Sequence, residues 1–247
     1  MSTGIIIQAR MGSERLPNKV LMDLSGKPVL KHIVDRVKQS KKVDKIIIAT
    51  TDKPKDNPVV DFCIREKVDH YRGSEDNVLE RYFHAAKEFG IGTIIRVTGD
   101  CPLIDPQIID KMIENYFQVK PDILTNAGLI ESERTFPRGL DAEVFSFEKL
   151  FEAHQNAEKK YHKEHVTPYL YENSKKVIYY KHFVNLSHIR ITLDTIKDYE
   201  LIKIVYDNLY KDKHDFYLEQ IEELFRQNPQ LSKVNSEIKQ KNYKNES

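Results

Sequence analysis

The chain lacks a cysteine framework, a charged leader and any long hydrophobic run. Its 247 residues include two cysteines, Cys63 and Cys101, which lie far apart and form no CxxC pair. Reduced thiols of a cytoplasmic protein are therefore expected rather than disulfides. The first apolar strand begins without a basic region or cleavage site before it, and the apolar runs are far shorter than the roughly 20 residues that cross a bilayer. We expect a cytoplasmic protein with no membrane partner.

An excess of charge of one sign is also missing. The 39 Lys and Arg residues face 38 Asp and Glu residues, which leaves a formal net charge of +1. Such a balance provides no basic field for nucleic acid, so any polyanion must be held by local residues. The length suits one hydrophobic core. We expect a single domain over residues 1–226, with appended elements at 127–192, and a flexible tail rich in Lys, Asn and Ser at 227–247.

The first half of the chain alternates short β-branched runs with amphipathic segments. This rhythm is typical of βαβ units in an α/β protein with a parallel sheet. Continuous Ile and Val runs indicate buried strands at 4–9, 45–50, 68–71, 93–97 and 123–125. Three helices between them have clear start signals, which are Pro28, Ser74 as a cap, and Asp105 followed by Pro106.

After Asn126 the pattern changes. Residues 127–141 form a polar loop that is too long for a plain connection and is typical of a binding loop or lid. Beyond it we predict strands at 142–147, 177–182 and 188–192, and helices at 147–156, 162–172, 196–210 and 218–226.

The first strand runs into a basic loop, ARMGSERLPNKVL, at the sheet edge where ligands of open α/β sheets bind. It holds three cations, Arg10, Arg15 and Lys19, with Gly12 and Ser13 among them. Guanidinium forks, an ammonium and backbone N–H groups are the means by which a triphosphate is held. The loop matches neither GxxxxGKS/T nor GxGxxG, which argues against a P-loop or a dinucleotide site. The alternative is an exposed basic loop without a ligand.

Two aspartates follow predicted strands near the same edge. Asp100 ends the fourth strand within VTGDCPLIDP, and a carboxylate beside a triphosphate is a good Mg²⁺ ligand. Asp194, in IRITLDTIKDYELI, could bring a second carboxylate to the metal. Each has a capping alternative, since Asp100 could cap the next turn and Asp194 could cap a helix whose Thr195 and Asp198 resemble a capping box. Asp105 is assigned to capping.

The segment RGSEDNVLERY carries candidate side chains for a base or ribose. It places Gly73 and Ser74 at a strand-to-helix turn, from which Asp76, Asn77 and Arg81 could face the ligand. Ordinary polarity of a surface helix is the alternative.

The segment TFPRGLDAEVF lies at the end of the long loop. Its Arg138 could clamp a carboxylate or phosphate, with Asp141 and Glu143 behind it, whereas a solvent-exposed turn arginine is the alternative. Neither a GxSxG nucleophile motif nor a Cys-His constellation occurs. Three histidines without the HExxH pattern of a zinc site are interpreted as ordinary helix residues: His154, His162 and His165.

Six ordered segments are recognisable together: ARMGSERLPNKVL, GSEDNVLERY, TGDCPLID, TFPRGLDAEVF, EHVTPYLYEN and RITLDTIKDYELI. They closely resemble the spore-coat polysaccharide biosynthesis protein F family. That family belongs with the cytidylyltransferases that make CMP-activated acidic sugars, including the acylneuraminate and 3-deoxy-manno-octulosonate enzymes. The resemblance runs from about Gly4 to Leu209 and leaves the tail beyond Arg226 uncovered. It implies a Rossmann-like nucleotide-diphospho-sugar transferase fold with a mixed, mainly parallel central sheet.

The resemblance also implies a reaction. We expect transfer of CMP from CTP to a sugar-type acceptor, with an acidic sugar favoured, Mg²⁺ as cofactor, and release of pyrophosphate for surface polysaccharide or glycan synthesis. The expected partners are CTP and the acceptor, and a homodimer is left open. Two rivals also stay open. One is a metal-dependent glycosyltransferase, against which the lack of any Asp-x-Asp pair argues, and the other is a non-catalytic nucleotide-binding protein.

The resemblance assigns roles to individual residues. The family's phosphate-binding signature matches Arg10, Ser13, Arg15, Leu16, Pro17 and Lys19, and its Mg²⁺ ligands match Asp100 and Asp194. The resemblance and the reasoning from the residues themselves together give the site candidates. The catalytic candidates are Arg10, Arg15, Lys19 and Asp100, and the acceptor candidates are Arg138, Asp141, Glu143 and His165. The nucleotide-binding candidates are Ala9, Arg10, Met11, Gly12, Ser13, Arg15, Lys19, Gly73, Asp76, Arg81 and Asp100.

Overall fold

Nine strands and nine α-helices are found in the part of the chain that the computed structural model describes, residues 2–240. The strands are β1 (Ser2–Gln8), β2 (Asp23–Leu24), β3 (Lys27–Pro28), β4 (Lys45–Thr51), β5 (Asp69–Gly73), β6 (Ile91–Thr98), β7 (Ile123–Thr125), β8 (Glu143–Ser146) and β9 (Val177–Tyr179). The helices are α1 (Val29–Val37), α2 (Asn57–Glu66), α3 (Val78–Glu88), α4 (Pro106–Val119), α5 (Phe147–Asn156), α6 (Lys160–His165), α7 (Pro168–Asn173), α8 (Ile196–Leu209) and α9 (Leu218–Gln227).

Seven of the strands form one mixed sheet, and β2 and β3 form a separate hairpin. The order in the large sheet is β5-β4-β1-β6-β8-β7-β9. β8 is antiparallel to both of its neighbours, while the other pairs are parallel. The predicted α/β class and the mixed, mainly parallel sheet are confirmed.

Successive side chains of β1 reach opposite faces of the sheet, and helices cover both faces. Ile5 and Ile7 are buried in a cluster that includes residues of α1, α4 and α8. Ile6 is buried on the other face, in a cluster with residues of α3 and α5. Burial on both faces is the reason why the strand is a continuous apolar run.

The sheet has its switch point at β1, which pairs with β4 on one side and β6 on the other. The Gly99 N–H donates to Gln8 O at 2.9 Å, so the loops after β1 and β6 start side by side. A Cβ atom at Gly99 would lie 2.9 Å from that same oxygen, so this close approach requires glycine. Both loops therefore open into one crevice, the usual ligand position of such sheets.

The second half of the chain departs from two predictions. The predicted strand at 188–192 is instead a single backbone bridge, in which the Arg138 N–H donates to Ile189 O at 3.0 Å and the Ile191 N–H to Arg138 O at 2.7 Å. The predicted helix at 162–172 is broken into α6 and α7. Pro168 lacks the N–H that a continuous helix needs, and Val166 adopts a φ of 70°.

Two local predictions are also corrected. No helix is predicted over 57–66, yet α2 forms there with Phe62 and Cys63 on its buried face. The N-cap of α3 is Asn77, whose side chain accepts the Glu80 N–H at 3.1 Å, and not Ser74. The Ser74 hydroxyl accepts the Asn77 N–H at 3.0 Å and so supports the turn that leads into the helix.

Residues 227–240 pack against the rest of the fold, which corrects the predicted flexible tail for this segment. α9 extends to Gln227, and both Leu231 and Asn235 are buried. Residues 241–247, the remainder of the predicted tail, lie outside the described residues. Within 2–240, no helix is long and apolar enough to cross a membrane.

Candidate active site

A cleft of about 1190 Å³ opens at the carboxyl ends of β1 and β6. Met11, Leu16 and Pro17 do not line it, and Gly73 borders a smaller adjoining cavity of about 310 Å³. The other predicted site residues do line the cleft and come from separate parts of the chain: Ala9, Arg10, Gly12, Ser13, Arg15, Lys19, Asp76, Arg81, Asp100, Arg138, Asp141, Glu143, His165 and Asp194.

Lys19 lies between the two aspartates that were predicted as metal ligands. Its Nζ donates to Asp100 Oδ2 and to Asp194 Oδ1, each at 2.9 Å. The other oxygen of Asp100 accepts the Thr98 hydroxyl at 2.5 Å. The N-cap of α8 is Thr195, so the carboxylate of Asp194 is not used as a cap. Two carboxylates that are distant in sequence thus converge on one cation.

Opposite charges decide the ionisation of this cluster. Burial by itself would lower the pKa of the Lys19 ammonium, but the charges of Asp100 and Asp194 outweigh it, and the pKa is raised. Burial by itself would raise the pKa of the Asp100 carboxyl, but the charge of Lys19 outweighs it, and the pKa is lowered. Lys19 and Asp100 are therefore both charged at neutral pH.

Asp194 is also held by two arginines. Arg15 NH2 lies 3.1 Å from Asp194 Oδ2, and Arg190 NH2 lies 2.9 Å from the same oxygen. Arg190 donates in turn to Asp198, a fully buried residue that forms a capping box with Thr195. The start of α8 thereby places Asp194 at the edge of the cleft.

A buried carboxylate anchors the basic loop after β1. Asp56 accepts the Met11 N–H at 2.6 Å and also the Thr51 hydroxyl. The N–H groups of Ser13 and Asn18 both donate to Met11 O, at 2.9 and 3.0 Å. The loop is therefore folded around the Met11 backbone, which shapes the loop without lining the cleft.

The turn after β5 forms the other end of the cleft. Arg81 is buried there, and its NH1 donates to Ser74 O at 2.6 Å. Burial lowers the pKa of Arg81, although an arginine remains protonated at neutral pH. Arg10 lies on the rim, with its NH1 3.8 Å from Glu75 Oε1. Asp76 lines both this cleft and the smaller cavity.

Two arginines of the long loop are paired in different ways. Arg134 is 4% exposed and forms a bidentate pair with Asp141, at 2.6 and 3.2 Å. Arg138 pairs with Glu131, whose side chain is 69% exposed on a short 3₁₀ turn. Asp141 is therefore held firmly by its neighbour, whereas a ligand could replace Glu131 at Arg138.

Glu143 lies in the wall of the cleft and already has three partners. Arg96 NH1 lies 2.6 Å from Oε2, while the hydroxyls of Tyr171 and Thr167 donate to Oε1 at 2.5 and 2.9 Å. Burial alone would lower the pKa of Arg96, but the charge of Glu143 raises it. Glu143 thus joins β6, β8 and α7, while His165 of α6 lines the same side of the cleft.

The sequence prediction missed four charged residues that build this site: Asp56, Arg96, Arg134 and Arg190. Two of them had a detectable signal. Asp56 follows β4 at the same sheet edge as the basic loop, and Arg134 lies within the loop that had been singled out. Arg96 and Arg190 had none, because a lone arginine inside an apolar run looks like an ordinary outward-facing residue.

The donor set suits a divalent ion that is shared with a ligand. Asp100 and Asp194 converge on one point, where they share the Lys19 ammonium. Over the described range 2–240, no group of three or more His, Cys, Asp or Glu side chains could hold a metal ion by itself. Mg²⁺ is commonly bound by one or two carboxylates together with substrate phosphates. The two aspartates fit that pattern.

A switch-point cleft with a basic loop and two converging carboxylates defines the class, an α/β enzyme that handles nucleotide phosphates. The chain matches the family model described as cytidylyltransferase over residues 4–245. It therefore belongs to the cytidylyltransferase family of CTP-dependent nucleotidyltransferases. The match continues through the tail, which the resemblance of the six segments had left uncovered.

Individual relatives agree with this assignment. The chain is 41% identical over 245 residues to an uncharacterized protein of Methanocaldococcus jannaschii, covering 97% of this chain and 96% of that protein. It is 35% identical over 237 residues to the spore coat polysaccharide biosynthesis protein SpsF of Bacillus subtilis, covering 91% and 94%. A solved cytidylyltransferase from Leptospira borgpetersenii has a TM-score of 0.86 at 35% identity, covering 94% and 96%. The predicted family and fold are confirmed.

Proposed function

We propose that this cytidylyltransferase transfers CMP from CTP to a small sugar-type acceptor and releases pyrophosphate. The observation that supports this most strongly is the position of Lys19, 2.9 Å from both Asp100 and Asp194, with Arg15 3.1 Å from Asp194. Cations and carboxylates alternate there and neutralise one another. A triphosphate that arrives with a divalent ion brings the opposite charge for each of these groups.

In the proposed reaction, an acceptor hydroxyl oxygen attacks the α-phosphorus of CTP. The new P–O bond forms while the bond from the α-phosphorus to the bridging oxygen breaks, so pyrophosphate leaves with the electron pair and the hydroxyl proton is released. Negative charge grows on the transferring and leaving oxygens, and Arg10, Arg15 and Lys19 supply positive charge beside them. No protein nucleophile takes part.

Asp100 and Asp194 are the residues that would hold Mg²⁺ in this proposal. When bound, Mg²⁺ would supply positive charge to the phosphate oxygens. Lys19 would then exchange its carboxylate partners for phosphate oxygens. Its contacts in the structure hold the two aspartates together.

Arg138 is the residue that we propose for recognition of an acidic group on the acceptor. Its guanidinium is held by Glu131, a largely exposed carboxylate that a substrate carboxylate could replace. A planar carboxylate suits the guanidinium fork as a bidentate partner. Arg134 is less suited, because its pair with Asp141 is buried. The pairing favours an acidic sugar as acceptor, and the similarity to SpsF supports a role in polysaccharide synthesis.

Thermal stabilisation by nucleotides tests the choice of CTP. With Mg²⁺ present, CTP should stabilise the protein more than UTP, ATP or GTP does. At a hundred times its Kd, CTP should raise the free energy of unfolding by about 2.7 kcal/mol over that of the protein without ligand. Asp194→Asn should lose the Mg²⁺-dependent part of this stabilisation. Asp207→Asn, which alters an exposed carboxylate on α8, the helix that follows Asp194, should retain it. A larger effect of ATP or UTP would refute the nucleotide assignment, and a normal response of Asp194→Asn would remove that residue from the site.

A further inference from the structure

The segment that follows α9 returns to the start of α8 and contacts the groups that hold Asp194. Asn235 is 2% exposed, and its Nδ2 donates to Asp198 Oδ1 at 2.8 Å and to Arg190 O at 3.0 Å. Gln240 Oε1 accepts from Arg190 NH1 at 2.7 Å, and Gln240 lines the active-site cleft. A segment with the composition of a solvated tail thus reaches the active site.

Arg190 is the residue through which these contacts act. Its Nε donates to Asp198 Oδ1 at 2.9 Å, and its NH2 donates to Asp194 Oδ2 at 2.9 Å. A guanidinium is planar, so partners at Nε and NH1 determine the direction of NH2. Gln240 supplies the NH1 partner, and Asn235 fixes both the carboxylate at Nε and the Arg190 backbone. The two residues together orient the Arg190 NH2 group, which among the described residues is one of the three cationic groups that contact the Asp194 carboxylate.

We propose that Asn235 and Gln240 are positioning residues for Asp194, so that residues 229–240 are a working part of the active site. The inference rests on the proposed function, because that function places Asp194 at the metal and the phosphates. Groups that orient a ligating carboxylate typically change metal affinity or activity by about 10–100-fold when they are altered. A purely structural segment would instead affect folding without a specific effect on metal-dependent binding.

Asn235→Ala and Gln240→Ala in the full chain separate these roles. Asn235→Ala removes both donated hydrogen bonds, and Gln240→Ala removes the acceptor at Arg190 NH1. Gln240 is exposed, so its substitution should leave folding intact even if the buried Asn235 variant is unstable. Ser236→Ala is the matched control, because Ser236 is exposed and its hydroxyl donates to Lys233 O within the segment.

Two measurements are needed. Hydrogen exchange without ligand reports how firmly Asn235 holds Asp198. The N–H groups of Asp194 and Thr195 donate to Asp198 Oδ2 at 3.1 and 2.9 Å, so they exchange faster when Asp198 is less firmly held. Asn235→Ala should speed exchange at both amides. Calorimetric titration of CTP with and without Mg²⁺ reports the function. Both variants should reduce the gain in CTP affinity from Mg²⁺ by about tenfold or more, with metal-free CTP binding unchanged. Ser236→Ala should match the wild type in both experiments.

Several outcomes would overturn the inference. Unchanged exchange at the Asp194 and Thr195 amides in a folded Asn235→Ala protein would show that Asn235 does not hold Asp198 in place. If Mg²⁺ increased the CTP affinity of Gln240→Ala as much as that of the wild type, the segment would have a structural role alone. The same conclusion would follow if the variants lost equal CTP affinity with and without Mg²⁺. If the wild type gains no CTP affinity from Mg²⁺, the proposed function fails and the inference falls with it. If the wild type gains affinity and the variants match it, the inference alone fails.

Discussion

Replacement of Lys19 by methionine should separate the stability of the active site from its chemistry. Methionine keeps most of the side-chain volume but removes the ammonium that bridges two carboxylates at 2.9 Å. Asp194 keeps Arg15 and Arg190 as partners, whereas Asp100 keeps the Thr98 hydroxyl. The loss therefore falls mainly on Asp100, which becomes a partly buried carboxylate without its cation.

The magnitude follows from the burial of the groups. The side chains of Lys19 and Asp194 are each 12% exposed and that of Asp100 is 24% exposed. Removal of one partner from a fully buried pair costs about 3–5 kcal/mol, and an exposed pair contributes about 1 kcal/mol or less. We expect a loss of about 3 kcal/mol, which for a chain of this length lowers the Tm by roughly 6–12 °C. Turnover should fall by about a hundred- to a thousand-fold, because a cation beside the phosphates is lost.

Melting curves and turnover of the same samples, with and without Mg²⁺, provide the assay. Mg²⁺ should raise the Tm of Lys19→Met more than that of the wild type, because the ammonium no longer occupies the point between the carboxylates. Lys42→Met is the matched control, because it removes an exposed lysine 2.9 Å from Glu114 and should change neither quantity measurably. A Lys19→Met protein with wild-type Tm and turnover would refute the assigned role of Lys19. If Mg²⁺ raised the Tm of Lys19→Met no more than that of the wild type, the idea that Mg²⁺ and the Lys19 ammonium occupy the same point between Asp100 and Asp194 would be refuted.

Three further predictions concern other parts of the molecule. Asp56→Ala leaves the Met11 N–H of the basic loop without its acceptor, so the free energy of unfolding should fall by about 1–3 kcal/mol and the KM for CTP should rise; denaturant titration and kinetics measure both. Arg138→Lys keeps the charge but loses the guanidinium fork, so the acceptor KM should rise while the Kd for CTP stays constant, and equal acceptor KM values would refute bidentate recognition. Burial lowers the pKa of His214 from 6.5 to about 3. Between these values the unfolded chain binds a proton that the folded chain does not, so the free energy of unfolding should fall as the pH is lowered from 6.5 toward 3, by up to about 1.4 kcal/mol per pH unit. Melting temperatures should show a flatter acid dependence for His214→Gln and an unaltered one for the exposed His188→Gln.

The central strands were predictable because one physical signal dominates them. β1, β4 and β6 carry isoleucine runs buried on both faces, and the predicted bounds lie within two residues of the observed ones. Lys19 and Asp100 could be singled out for the same reason, since they follow such strands at the carboxyl edge of the sheet. These features depend on local sequence and on a general rule of α/β topology.

The parts of the fold and of the site that were not predicted depend on contacts between residues that are distant in sequence. The capping box of Thr195 and Asp198 is visible locally, but nothing local indicates that Asn235 also binds Asp198. The polar segment after α9 has the composition of a tail, yet it is held by Leu231 and Asn235, which are buried against other elements. Composition reports the average preference of a segment for water and not the few side chains that anchor it.

Pyrophosphate release is the measurement that tests the central claim most directly. The protein should be mixed with CTP and Mg²⁺ and offered a panel of sugar acids, phosphorylated sugars and neutral sugars, with the nucleotide product identified by mass. The proposal predicts pyrophosphate and a CMP-linked sugar in equal amounts, with sugar acids as the best acceptors. Faster pyrophosphate release with UTP or ATP would contradict it. Release of a nucleoside diphosphate from a sugar nucleotide, without pyrophosphate from CTP, would identify a glycosyltransferase instead.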